Sequence, residues 1–184
     1  MLSIKQREER EALVAKREGL REELAFAVEH KKPWQWGSWE SGNVHAAACE
    51  KHGDYQRISL TGKAYRGVEN VKYSQCPECV KAELAGIESS LRTLRVADLI
   101  DNAGIARRFE ACEFDNYQTI NQDAAKNLAA CQRYASSWPE RLNAGTGLVM
   151  TGNCCAGKNL LAVAMVKSII RDHLANVEIT DVMR

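Results

Sequence analysis

Two short residue pairs constrain this chain most: Cys49-x-x-His52 and Cys76-x-x-Cys79, with 23 residues between them. A two-residue gap lets both side chains of a pair turn toward one cation, and two such pairs complete a tetrahedron. Thiolate and imidazole donors suit zinc. Four protein ligands leave no open position for water, so the expected site is structural rather than catalytic. It would anchor a segment, residues 45–80, too small to hold its own core. Two other readings stay open. The spacings are fortuitous and Cys76-x-x-Cys79 is a redox pair, a motif that normally opens a helix after a strand in a thioredoxin-like fold. Alternatively, His45 replaces His52 as the fourth donor, at a worse spacing.

Composition supports metal or buried thiols over disulfides. The chain has seven cysteines in 184 residues, and its first residues are charged, with no apolar signal core. No apolar run approaches the roughly 20 residues of a membrane span, so the expectation is a cytoplasmic protein with no membrane partner. A net charge of +1 gives the whole molecule no strong pull toward nucleic acid, and any electrostatic site must be local.

Such a local surface is expected between the metal pairs. Lys51, Arg57, Lys63, Arg66 and Lys72 face Asp54 and Glu69 there, with Tyr55, Tyr65 and Tyr73 interleaved. Cations among aromatics suit a single-stranded nucleic-acid surface, and a solvated face on a metal knuckle is the plain alternative.

The pattern around this module predicts mostly helices. Residues 1–32 contain no proline and one glycine, Gly19, and read as one helix. Their stripe of Leu13, Leu20, Leu24 and Ala27 is thin, which predicts a solvated helix, a short coiled coil or a docking helix for a partner. Pro33 breaks it, and Trp34, Trp36 and Trp39 need burial or a partner, either packing against the next domain or stacking on bases. Tyr55 to Thr61 alternates as a short strand with Ile58 and Leu60 on one face, and Gly62-Lys63 and Gly67 supply turns, giving a hairpin-like knuckle. Residues 80–100 read as a helix with Leu84, Ile87, Leu91 and Leu94 on one face, ended by Asn102-Ala103-Gly104. A further helix covers about 122–138, capped by Asn121 and stopped by Pro139.

The last third contains a phosphate-type loop. Gly152, Asn153, Cys154, Cys155, Ala156, Gly157, Lys158 and Asn159 match G-x-x-x-x-G-K at the fixed positions. The chemistry requires this layout. Backbone N–H groups of the loop must face phosphate oxygens, a helix N-terminus adds its positive dipole end, and Lys158 reaches the β- and γ-phosphates. Asn159 stands in the usual magnesium-binding Ser/Thr position, where its amide oxygen is a weaker ligand. Leu148-Val149-Met150 reads as a buried strand before the loop, Lys158 to His173 as a helix, and Val177 to Thr180 as a second strand, a β–loop–α–β crossover unit. The plain alternative is a glycine turn between a strand and a helix.

Arg108-Phe109, Phe114-Asp115-Asn116-Tyr117 and the run from Gly152 to Ala162 together resemble the DnaC-type replicative helicase loaders, including phage and prophage versions. These are AAA+ ATPases. In them an asparagine is common where Asn159 stands, whereas Cys155, Ala156 and Leu160 replace a glycine, a threonine and a histidine. The resemblance spans residues 105–184, and the C-x-x-H…C-x-x-C segment of phage-type relatives extends it over 45–80. Residue pattern and resemblance together predict a mixed fold: an N-terminal helix (1–32), a small zinc knuckle with a short hairpin (33–80), a helical linker (81–104) and, as the resemblance implies, the start of an α/β P-loop (AAA+) domain (105–184). The resemblance further implies a DNA-replication role, with replicative DNA helicase and single-stranded DNA as partners and ATP with magnesium as a weakened cofactor. The expected Walker B acid, sensor and arginine finger are not found before Arg184, and Asp181 is not assigned that role. The resemblance therefore implies a shortened loader, and the alternative is an inert zinc-containing adaptor that binds helicase or DNA without hydrolysing ATP. A zinc-dependent nucleic-acid binder unrelated to replication is a third reading.

Overall fold

The computed structural model describes residues 3–29, 40–65, 68–153 and 156–180. The tryptophan cluster at 34–39, Gly67 and Asp181 lie outside them. The chain forms two compact units, one running from Ser3 to Arg92 and the other from Thr93 onward, so the boundary falls within a helix.

The first unit opens with α1, Ile4–Glu29, as the run of Glu, Lys, Arg and Ala predicts. Its stripe is not left to solvent or to a partner. Leu13, Leu20 and Leu24 pack against Val80, Leu84, Ile87 and Leu91 of α2, Pro77–Asn102. Ion pairs Lys16–Glu83 at 2.7 Å and Arg21–Glu88 at 3.2 Å flank this seam. Both pairs are exposed, so the apolar seam carries most of the stabilisation. A narrow stripe suffices because α1 also buries Phe26, 1% exposed, against Ile58 and Leu60 of the sheet. Heptad spacing alone misses Phe26.

The sheet is larger than the expected hairpin. It is an antiparallel meander of β1 (Glu40–Cys49), β2 (Gly53–Tyr65) and β3 (Val68–Tyr73). Ile58 and Leu60 do share its buried face. Gly62 is not a turn residue; it lies inside β2, opposite Asn70. The alanine-rich β1 shows no strand propensity and is held by its pairing with β2, which runs from Cys49↔Gly53 to Glu40↔Thr61. A register shift between Ser41 and Val44 lets Gly42 approach Ser59 closely.

In the second unit, Leu99 and Ala103 at the end of α2 form a core with Val166 and Ile170. These last two lie on α5, Lys158–His173, whose bounds match the sequence pattern. Two 3₁₀ turns, Arg107–Phe109 and Phe114–Asn116, precede α3, Gln122–Ser136. Asn121 caps α3 as expected, its side chain accepting from the Ala124 N–H at 2.7 Å. Pro139 does more than stop α3: it lies in the first turn of a short helix α4, Trp138–Asn143.

The two strands expected in this unit are not formed. Residues 105–180 contain no strand among the described residues. A strand needs a ladder partner for its backbone groups, and an apolar run of three supplies none by itself. Leu148 is 38% and Val149 85% exposed, so that run is not buried. Segment 177–180 is extended and bonds through Ile179 N–H to the Ala103 carbonyl at 2.8 Å. Its alternation survives in packing: Val177 and Ile179 lie on the Leu99–Ile170 core while Glu178 is exposed.

Candidate metal centre

Three elements bring the four expected ligands together. Cys49 ends β1, and His52 sits in the tight β1–β2 turn closed by Gly53, whose φ is 76°. Cys76 lies just before α2, and Cys79 is in its first turn, behind Pro77 at the first helical position. Helix α1 steadies the approach to this pair, because the Glu23 carboxylate accepts from the Gln75 N–H at 2.9 Å.

The donor atoms all lie within 4.8 Å of one another. Cys49 Sγ is 3.6 Å from His52 Nδ1 and 3.6 Å from Cys79 Sγ. His52 Nδ1 is 3.6 Å from Cys76 Sγ and 3.3 Å from Cys79 Sγ. A tetrahedral ion with ordinary zinc–sulfur and zinc–nitrogen bonds has ligand–ligand edges of about 3.8 Å between sulfurs and about 3.6 Å from sulfur to nitrogen. Four of the six donor pairs lie near these spacings, and the cluster can hold a metal ion such as zinc.

The electrostatics fit a cation as well. Backbone N–H groups of Lys51 and His52, followed by the His52 side chain, pull the Cys49 thiol down to about 6. Cys79 is pushed up to about 11, first by its hydrogen bond with Cys49, then by desolvation and by the charges of Cys49 and Cys76. Thiolates crowded this closely oppose one another, and a divalent ion at their centre removes that opposition.

The geometry bears on the alternatives. Cys76-x-x-Cys79 does open a helix after a strand, the local setting of a redox pair. That strand, however, belongs to an antiparallel meander, and Cys49 and His52 converge on both thiols. His45 is not a ligand. It lies on β1 with Nε2 3.1 Å from Ser59 Oγ, and that hydroxyl donates to the Asn43 carbonyl at 3.1 Å. The imidazole therefore donates through Nε2–H.

The glycine loop lies in the other unit. Of its eight expected residues, Gly152, Asn153, Ala156, Gly157, Lys158 and Asn159 are described, and Cys154 and Cys155 are not. Gly157 precedes the first turn of α5 with φ 77°, a conformation that glycine adopts without strain, and no side chain caps the helix there. A side chain at this position would also meet the Tyr117 ring, 3.2 Å from its hydroxyl. The Lys158 ammonium folds back and donates to the Gly152 and Asn153 carbonyls at 2.9 and 2.8 Å. Beside the loop, Tyr117, Gln118, Asn121, Asn127, Ala156 and Gly157 line part of a cleft of about 640 Å³.

Sequence reasoning missed the polar network that holds this cleft's wall. Lys167, 4% exposed on α5, donates to the carbonyls of Glu110 and, at 3.1 Å, Cys112, and to the Glu113 carboxylate at 3.0 Å. Arg171 takes the same carboxylate with both guanidinium nitrogens, at 2.6 and 2.5 Å. Hydrogen bonds from Arg171, then Lys167, hold the Glu113 carboxyl below the usual carboxylate range against a smaller desolvation effect. The available signal was a lysine on the apolar face of a predicted helix, between Val166 and Ile169-Ile170.

No helix among the described residues is long and apolar enough to cross a membrane. No family model, curated protein or solved structure matches the chain.

Proposed function

We propose that this chain is a DNA-replication protein of the helicase-loader type, with a structural zinc ion in its first unit and a nucleotide-phosphate loop in its second. The observation that carries the nucleotide part is the placement of Gly152–Lys158 at the open N-terminus of α5. The helix N-terminus there has no side-chain cap, and the Lys158 ammonium lies on the carbonyls of Gly152 and Asn153. Phosphate oxygens would draw Lys158 from the two loop carbonyls, and the adjoining cleft would take the rest of the nucleotide. Zinc held by Cys49, His52, Cys76 and Cys79 would fix the meander to the start of α2. Replicative helicase and single-stranded DNA are the proposed partners, in the cytoplasm.

Photo-crosslinking with 8-azido-ATP and magnesium tests the loop. The wild-type chain should label, and Lys158→Ala should lose most of that labelling. Equal labelling of the two would remove the nucleotide site. Co-purification with a replicative helicase tests the role, and its clean failure would overturn it. One observation favours a second reading, an adaptor inert toward ATP. Four metal-ligand side chains cluster in the first unit, whereas the apolar run before the loop is exposed and unpaired. On that reading helicase is retained and crosslinking is absent.

A further inference from the structure

The proposal above names single-stranded DNA as a partner without giving it a surface, and the face of the meander turned away from Phe26 offers one. Alternation along β2 puts Tyr55, Arg57 and Ser59 on this face, opposite to Ile58 and Leu60. Register brings His45 beside Arg57 and Tyr73 beside Ser59. The side chains interlock. The Arg57 guanidinium stacks over the Tyr73 ring at 4.2 Å from its centroid. His45 meets that ring edge-on at 5.8 Å and is held by Ser59. Tyr73 nevertheless stays 47% exposed and its neighbour on the same face, Val71, 40% exposed. Arg57 Nε has no hydrogen-bond partner among the described residues. Glu40, paired with Thr61, brings a carboxylate to the far end of this face.

We infer that this sheet face binds single-stranded nucleic acid. A fixed aromatic ring and a guanidinium plane offer stacking surfaces at little entropic cost, because the Arg57–Tyr73–His45 set is already ordered. The Arg57 cation, held over the Tyr73 ring, supplies attraction for a phosphate beside the stacking surface. A duplex hides its base faces and fits such a platform poorly. An acidic peptide could use the cation but not the ring stack. The site is independent of the nucleotide reading of the loop, since it lies wholly in the unit from Ser3 to Arg92.

The test is fluorescence anisotropy of a labelled oligothymidylate with the zinc-loaded full chain. Arg57→Ala and Tyr73→Ala should each weaken binding about ten-fold, and Tyr73→Phe should keep most of it, as stacking requires. Val71→Glu, at a partly exposed position of the same face, should weaken binding comparably by repulsion, which covers the case where a truncation unfolds the sheet. Metal content and circular dichroism of every variant should match wild type. Equal affinity of wild type, Val71→Glu and the Arg57→Ala/Tyr73→Ala pair would overturn the inference and leave the crosslinking result for the loop untouched. Competition by duplex or polyglutamate as effective as by oligothymidylate would overturn it too.

Discussion

At the scale of single residues, the metal cage and one glycine make the sharpest demands. The joint change Cys76→Ser and Cys79→Ser removes two corners of the tetrahedron, so purified protein should lose its equivalent of zinc by atomic absorption. His52→Ala should weaken retention strongly, whereas His45→Ala should leave the metal content unchanged, because His45 is bonded to Ser59. Retention of a full equivalent by the double cysteine variant would sink the site. Gly42 is the second case. A Cβ there would lie 2.3 Å from Ser59 Oγ and 2.7 Å from the Ser59 carbonyl oxygen. The backbone oxygen cannot step aside, so Gly42→Ala should destabilise the first unit by about 1–3 kcal/mol in urea unfolding. The ligand pairs were legible because their chemistry is local, set by residue type and a two-residue gap. The Gly42 contact was not, because it depends on a neighbour 17 positions along the chain.

At the scale of elements, the helices were legible and the pairings were not. Asn121 and the bounds of α5 follow from caps and 3.6-residue periodicity, which act within a few residues. β1 has no such local signal, and 148–150 has an apolar signal but no ladder partner. Phe26 shows what α1 contributes. Phe26→Ala should cost about 3–5 kcal/mol, read as a lowered urea midpoint of the zinc-loaded chain, since its ring is buried between helix and sheet. An unchanged midpoint would mean that α1 does not pack on the meander. In the other unit, α5 is fastened to the turn before α3 through Glu113. Its carboxyl is held below the ordinary range, so its contribution is complete above that range and is lost as pH falls through the lowered value. Glu113→Gln should therefore be less stable than wild type at neutral pH, with the gap closing on acidification below about pH 4. The difference between the two chains at each pH, measured by urea midpoint, isolates this group from any acid release of metal.

At the scale of the whole molecule, the two units should respond differently to metal removal. Zinc binding to a small module is folding free energy, about 10–16 kcal/mol in finger-type peptides at neutral pH. Chelation of the full chain should therefore lower the thermal transition of the unit from Ser3 to Arg92 much more than that of the unit from Thr93 onward, whose core contains no ligand. A calorimetric trace unchanged by chelator would show that the cage is not a source of stability. The sequence by itself determined the Cys/His cluster and the four long helices, because ligand spacing and helical periodicity are properties of neighbouring residues. Only the tertiary structure decided that His45 belongs to the sheet, that the stripe of α1 is covered by α2 and the meander, and that Lys167 and Arg171 converge on Glu113. It also left 148–150 unpaired. Each of these depends on which distant backbone or side chain arrives opposite, and local spacing carries no record of that.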